Sequence, residues 1–263
     1  MKANLEGKWA LVLGASSGFG EAACRRFAQA GLNIFGVHLD RKATIANAER
    51  IQAEIQAMGR EAIFVNMNAA DDTKRAEVIS TLREKAPGKV HVLLHSLAFG
   101  ALKPLVGATP DDSLTKSQVE MTLDVMANSL VYWSQDLARE KLFARGSRIF
   151  AMTSAGSSRV WPSYGAVSAA KAALESYCRQ LALEMAPLGV TSNAILAGVT
   201  DTPALRKIPG NEHMIETAAK RSPMKRLTTP DDVAQVMASM CGPGFDFVTG
   251  NTLRVDGGEN IVD

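Results

Sequence analysis

Two side chains pose the chemical question. Tyr164 and Lys171 stand seven residues apart in Ser163-Tyr164-Gly165-Ala166-Val167-Ser168-Ala169-Ala170-Lys171. A phenol can donate to an oxygen that gains negative charge during a reaction. An ammonium beside it favours the phenolate and is expected to lower the phenol's pKa from about 10. The stretch reads as the opening of a long helix, with Pro162 and Ser163 where a start signal belongs and Ser163 as the expected N-cap. Leu174, Leu181 and Leu183 carry the pattern on to a stop at Pro187-Leu188-Gly189. Seven residues make nearly two turns, so both side chains share a face, roughly 10 Å apart along the axis. A surface Tyr and Lys that merely share that face would show the same spacing.

Such a pair needs elements to hold it, and the chain supplies them in alternation. Trp9 to Leu13 reads as a buried strand and leads into Gly14-Ala15-Ser16-Ser17-Gly18-Phe19-Gly20, followed by a helix from about Gly18 to Ala30. Glycines there let the backbone turn sharply and let a phosphate approach free N–H groups at the helix start. The spacing is GxxxGxG rather than GxGxxG, and a turn without a ligand is the bland alternative. Asn33 to Leu39 is a second strand, ending at His38-Leu39-Asp40-Arg41-Lys42. An acid at that strand end accepts from a ribose diol, while basic residues pair with a 2′-phosphate. Asp40 beside Arg41 and Lys42 leaves NADH against NADPH open, and the two cations serve equally as the solvated start of the next helix.

A helix over Thr44 to Met58, a strand over Ala62 to Val65, a helix over about Asp71 to Lys85 and a strand over Val90 to Leu94 come next. Phe99 to Ser113 reads as a loop, and one long helix is expected over Leu114 to Phe143 with Asn128 in its middle. A buried mid-helix Asn needs a partner; an Asn on a wet face does not. Ser147 to Met152 is a fifth strand ending at Thr153-Ser154, and Val190 to Leu196 a sixth. Thr200 to Leu227 is a long polar segment, Pro230 to Met240 a short helix and Thr252 to Val255 a last strand. This alternation predicts the α/β class: a single Rossmann-like, doubly wound parallel sheet with helices on both faces, in one domain over residues 1–263. Ligands in such sheets bind outside the carboxyl ends of the strands. The candidate residues all follow strand ends: Gly14 to Gly20, His38 to Arg41, Met67 and Asn68, Ser96 to Ala98, Ser154, and Gly198, Thr200 and Thr202.

The totals narrow the classes. With 263 residues, a net charge of +2 and 46% hydrophobic residues, the chain suits a globular protein and shows no pull toward nucleic acid. Cys24, Cys178 and Cys241 have no paired or metal-ligand spacing, and the four histidines form no cluster, so no metal is expected. The apolar runs are too short to span a bilayer and the first residues lack a signal-peptide core, so a cytoplasmic protein with reduced thiols is expected.

With those motifs in place, the chain resembles the short-chain dehydrogenase/reductases over nearly its whole length. The likeness rests on GASSGFG at residues 14–20, Asn128, Ser154, the Tyr/Lys helix, the segment Ala197 to Thr202 and TGNTLRVDGG at residues 249–258. Most members space the pair as YxxxK. Here Ser168 stands four after Tyr164, and aligning Lys171 with the family lysine puts Val167 at the usual tyrosine position. The Tyr-x6-Lys spacing and HSLAFG at residues 95–100 resemble the enoyl-[acyl carrier protein] reductases, and the type III enzyme most. The segment Leu205 to Leu227 is similar to that type's substrate-binding segment.

The resemblance implies reduction of trans-2-enoyl thioesters, carried on acyl carrier protein or CoA, by NADPH or NADH, with NADPH slightly favoured. Tyr164 would donate to the thioester oxygen, Lys171 would hold the nicotinamide ribose, and Ser154 and Asn128 would complete the catalytic set. Gly18, Phe19 and Gly20 would hold the pyrophosphate, Asn68 would lie near adenine, and Thr202 would bind pyrophosphate or carboxamide. Residues 199–227 would form a lid, and its cations, Arg206, Lys207, Lys220, Arg221, Lys225 and Arg226, would steer an acidic carrier. A homotetramer or dimer is implied. Reduction of ketones or 3-oxoacyl thioesters, and a dinucleotide-sensing protein without turnover, remain as alternatives.

Overall fold

The computed structural model describes residues 5–262. Seven parallel strands form one sheet: β1 (Trp9–Leu13), β2 (Asn33–His38), β3 (Ala62–Asn66), β4 (Val90–His95), β5 (Phe143–Thr153), β6 (Thr191–Ala197) and β7 (Thr252–Val255), in the order β3-β2-β1-β4-β5-β6-β7. The helices are α1 (Gly18–Gln29), α2 (Ile45–Ala57), α3 (Asp72–Lys85), α4 (Lys116–Leu123), α5 (Ser129–Arg139), α6 (Gly165–Glu184), α7 (Asn211–Arg221) and α8 (Pro230–Met240). Strand alternation feeds two cores. Trp9, Leu11 and Leu13 of β1 pack toward Leu82, Trp133 and Leu174 of α3, α5 and α6. Ala10 and Val12 face the other way, toward Phe27, Ile55 and Met237 of α1, α2 and α8. Strands buried on both faces explain the near-continuous apolar runs.

The chain leaves β1 toward β2 and β3, then returns to place β4 on β1's other side. Between β1 and β4 the winding direction reverses, and the crevice above their carboxyl ends is the natural ligand site of this topology.

Two expectations about helices need correction. Residues 114–143 are not one helix. A capping box between Thr115 and Gln118 starts α4, a π-helical turn spans Asp124–Asn128, and α5 follows. Phe143 already belongs to β5, which begins earlier than expected. The polar segment 200–227 contains a full helix, α7, whose single fully buried residue is Ala218. Among the described residues, no helix is long and apolar enough to cross a membrane.

Candidate active site

The tyrosine sits at the head of α6 rather than inside it. Ser163 is not the N-cap: its φ of 62° is left-handed, and Tyr164 itself takes the cap position at φ −102°, ψ 3°. The Tyr164 N–H donates to the Trp161 carbonyl at 3.2 Å, closing a turn, and its own carbonyl accepts the Ser168 N–H at 2.8 Å. The ring then lies against Gly156, where a Cβ would stand 2.6 Å from Tyr164 Cε1. No side chain fits between them. Ser154, at the end of β5, places its buried hydroxyl beside the phenol without a hydrogen bond of regular geometry.

Lys171 is buried, 6% exposed, and its Nζ donates to the Met152 carbonyl at 2.7 Å. Burial pulls its pKa down to about 8, and the Glu175 carboxylate opposes that fall. Tyr164 moves the other way. Burial raises its pKa, with the Ser154 hydroxyl acting against the rise. The expected lowering by Lys171 is therefore corrected: the ammonium is bonded to Met152, and desolvation of the phenolate dominates. Asn128 has the partner that a mid-helix Asn needs, but away from the cavity. It ends the π-helical turn, its Oδ1 accepts the Tyr177 hydroxyl at 3.0 Å, and it lies off the cavity wall.

Tyr164, Lys171 and Ser154 line a cavity of about 1370 Å³ that also holds most of the strand-end residues. From the first turn come Gly14, Ser16, Ser17, Gly18 and Phe19. Gly14 has φ +90°, and a Cβ there would meet the Ser96 carbonyl oxygen at 2.3 Å. Gly20 is behind the wall instead of in it. A Cβ on Gly20 would lie 2.0 Å from the Gly14 carbonyl oxygen, so its glycine lets α1 close onto the turn. The Gly18, Phe19 and Gly20 N–H groups open α1 and have no intrahelical acceptor, the arrangement that receives a phosphate.

His38, Leu39, Asp40 and Arg41 line the cavity beyond β2. The Asn66 side chain clamps the Asp40 backbone on both sides, accepting from its N–H and donating to its carbonyl, each at 2.9 Å. Burial pushes the Asp40 carboxyl up, but the nearby Ser16 and Thr44 hydroxyls and the His38 ring outweigh it and hold the carboxyl below its usual range. The His38 Nδ1 stands 2.8 Å from Asp40 Oδ2. Met67 and Asn68 follow β3, and Ser96, Leu97 and Ala98 follow β4. Gly198, Thr200 and Thr202 follow β6, with the Thr202 methyl 3.4 Å from where a Gly18 Cβ would be. A volume above the usual range for a single ligand, a phosphate cradle at one end and a polar pair at the other fit an elongated dinucleotide plus a second molecule.

Several wall residues had no place in the sequence reading, Asn47, Trp161 and Glu259 among them. Asn47 of α2 donates to the Ser16 carbonyl. Trp161 donates from Nε1 to the Pro209 carbonyl at 2.9 Å and stacks on His213, joining the segment before α6 to the one before α7. Glu259 is 3% exposed; it accepts the Val199 N–H at 2.8 Å and faces Arg221 at 3.3 Å. Its position directly after Gly257-Gly258 was the available signal. The basic segment is largely neutralised: Arg206 pairs with Asp201, Lys220 with Glu216, Arg221 with Glu259 and Arg226 with Asp232.

Residues 14–260 match the family described as enoyl-(acyl carrier protein) reductase. The chain is 29% identical to 1-cyclohexenylcarbonyl-CoA reductase of Streptomyces collinus, covering 96% of this chain and 86% of that protein. It is 28% identical to a 3-oxoacyl-[acyl-carrier-protein] reductase of Pseudomonas aeruginosa, covering 97% and 98%. The solved enoyl-[acyl-carrier-protein] reductase (NADH) of Aquifex aeolicus superposes with a TM-score of 0.85 at 26% identity, over 98% of each chain.

Proposed function

The chain belongs to the enoyl-(acyl carrier protein) reductase family within the short-chain dehydrogenase/reductases, and from that premise we propose that it reduces the double bond of trans-2-enoyl thioesters with a nicotinamide dinucleotide. One observation carries the reading: the phenol in the cavity is at the head of α6, while Val167 is buried in the core. The position four before Lys171 thus offers no acid to the cavity. The working phenol stands one turn, about 5 Å, nearer the helix start. A ketone has its oxygen on the carbon that accepts hydride. A conjugated thioester has its oxygen two carbons farther on, and a displaced phenol suits it.

The dinucleotide, when bound, supplies a hydride to C3 of the enoyl group. Gly18, Phe19 and Gly20 would hold its pyrophosphate by their N–H groups, and Lys171 its nicotinamide ribose. Tyr164 donates its O–H to the thioester oxygen as enolate charge grows there, and burial keeps that phenol protonated for the task. C2 takes its proton from water or the Tyr164 network. Asp40 supports NADH over the NADPH that the resemblance slightly favours, because its charged carboxylate would face a 2′-phosphate. Paired lid cations support only weak steering of an acidic carrier, so CoA and carrier thioesters are both proposed substrates. Assembly into dimers or tetramers belongs to the same proposal.

Steady-state assays of crotonyl and acetoacetyl thioesters with NADH and NADPH test it. Crotonyl thioester with NADH is expected to give the highest kcat/KM. Faster turnover of the acetoacetyl thioester would favour 3-oxoacyl reduction, the activity of the Pseudomonas relative.

A further inference from the structure

β5 and α6 are stitched together at two successive residues. Met152 accepts from Lys171 Nζ, and the next residue, Thr153, donates from Oγ1 to Glu175 Oε1 at 2.7 Å. Thr153 is buried at 5% exposure and Glu175 is half-buried. Glu175 follows Lys171 by four residues on α6, so the two side chains are neighbours on one helix face.

We propose that Glu175 is a positioning residue for Lys171, its carboxylate fixed by Thr153 and keeping the neighbouring ammonium in the charged form that binds the cofactor ribose. This rests on the dinucleotide reading above.

The surroundings of Lys171 leave this work to Glu175. The Met152 carbonyl offers a dipole but no charge. Tyr164, at the head of the same helix, has a protonated phenol. His95, at the end of β4, is fully buried with its pKa driven down to about 3, first by burial and then by Lys171. Its tautomer follows from its partner. Ser129 Oγ donates its one proton to the Val125 carbonyl at 2.8 Å, so it accepts from His95 Nε2 at 2.9 Å. His95 is thus a neutral ring. Among the described residues that act on Lys171, Glu175 is the formal negative charge, and it works against a desolvation that leaves the ammonium at about 8.

The test is the NADH dissociation constant, read from NADH fluorescence between pH 6 and 10. For the unsubstituted protein, affinity should weaken above about pH 8, as the Lys171 ammonium loses its proton. In Glu175→Gln that weakening should begin about half to one pH unit lower, and Glu175→Asp should restore most of it. Should the Gln variant fail to fold, Glu175→Ser is measured in the same way with the same expected shift. An onset that does not move, or a loss of affinity by one factor at every pH, overturns the proposal. A protein that binds no NADH at any pH overturns the dinucleotide reading itself, whereas binding with an unmoved onset removes only the role of Glu175.

Discussion

Burial displaces Tyr164 and Lys171 in opposite directions for one reason: each resists its charged form, so the phenol rises and the ammonium falls. A protonated phenol is what an enolate oxygen requires. Tyr164→Phe keeps the ring that packs on Gly156 and removes only the donor. It should lower kcat on crotonyl thioester by roughly 10²–10³-fold, the usual effect of losing one such donor, while NADH affinity by fluorescence changes little. Equal activity in the Phe variant would remove Tyr164 from the mechanism. The identity and spacing of the pair were legible in the chain. The direction of the phenol's shift was not, because it is set by burial, which only the fold creates and which outweighs the opposing Ser154 hydroxyl. The partner of Asn128 was hidden for a related reason. That partner, Tyr177, lies on another helix, so nothing local marks which way the Asn128 amide turns.

At the level of elements, the first turn shows how closely backbone contacts bind sequence to site. Ala has a higher intrinsic helix propensity than Gly by about 1 kcal/mol, which alone would make Gly20→Ala stabilising. The added Cβ would lie 2.0 Å from the Gly14 carbonyl oxygen, a backbone atom that cannot swing aside. The clash should win, with a lower Tm and at least about tenfold weaker NADH binding as the α1 N–H groups shift. An Ala variant with unchanged Tm and NADH affinity would show that the cradle is not so tight. The strands and the amphipathic helices could be read from apolar periodicity. Helix α7 was passed over because its apolar face is thin and set in a polar segment: Met214, Ile215 and Ala219 are only half-buried, and Ala218 is the one fully buried residue. The break between α4 and α5 had one readable sign, Thr115 and Gln118 in capping-box spacing. The π-helical turn had none, as its extra residue changes hydrogen bonding and not composition.

For the molecule as a whole, β4 carries two neutral histidines whose burial couples stability to pH. His91 falls from 6.5 to about 4 and His95 to about 3, both chiefly by desolvation. In the unfolded chain both would take up protons near 6.5, which the folded protein refuses. Depressed folded values therefore contribute stability above about pH 6.5 that is lost as pH falls toward 4 and then 3. Each should add a slope of about 1.4 kcal/mol per pH unit in that window. Urea unfolding at pH 7.5, 6.5 and 5 should show nearly constant stability over the upper interval and a clear fall over the lower one. A flat profile down to pH 5 would mean that these rings find charge partners on protonation. The same sheet sets the switch point at which a phosphate cradle, Asp40 and the head of α6 meet in one cavity. Whether that cavity reduces a carbon–carbon bond is tested most directly by isotope. Crotonyl thioester is turned over with NADH bearing deuterium at the transferable position, and the product is read by NMR. Deuterium at C3 of a saturated butyryl thioester is the predicted result. Failure of the saturated product to form, or a product without deuterium at C3, would contradict the account.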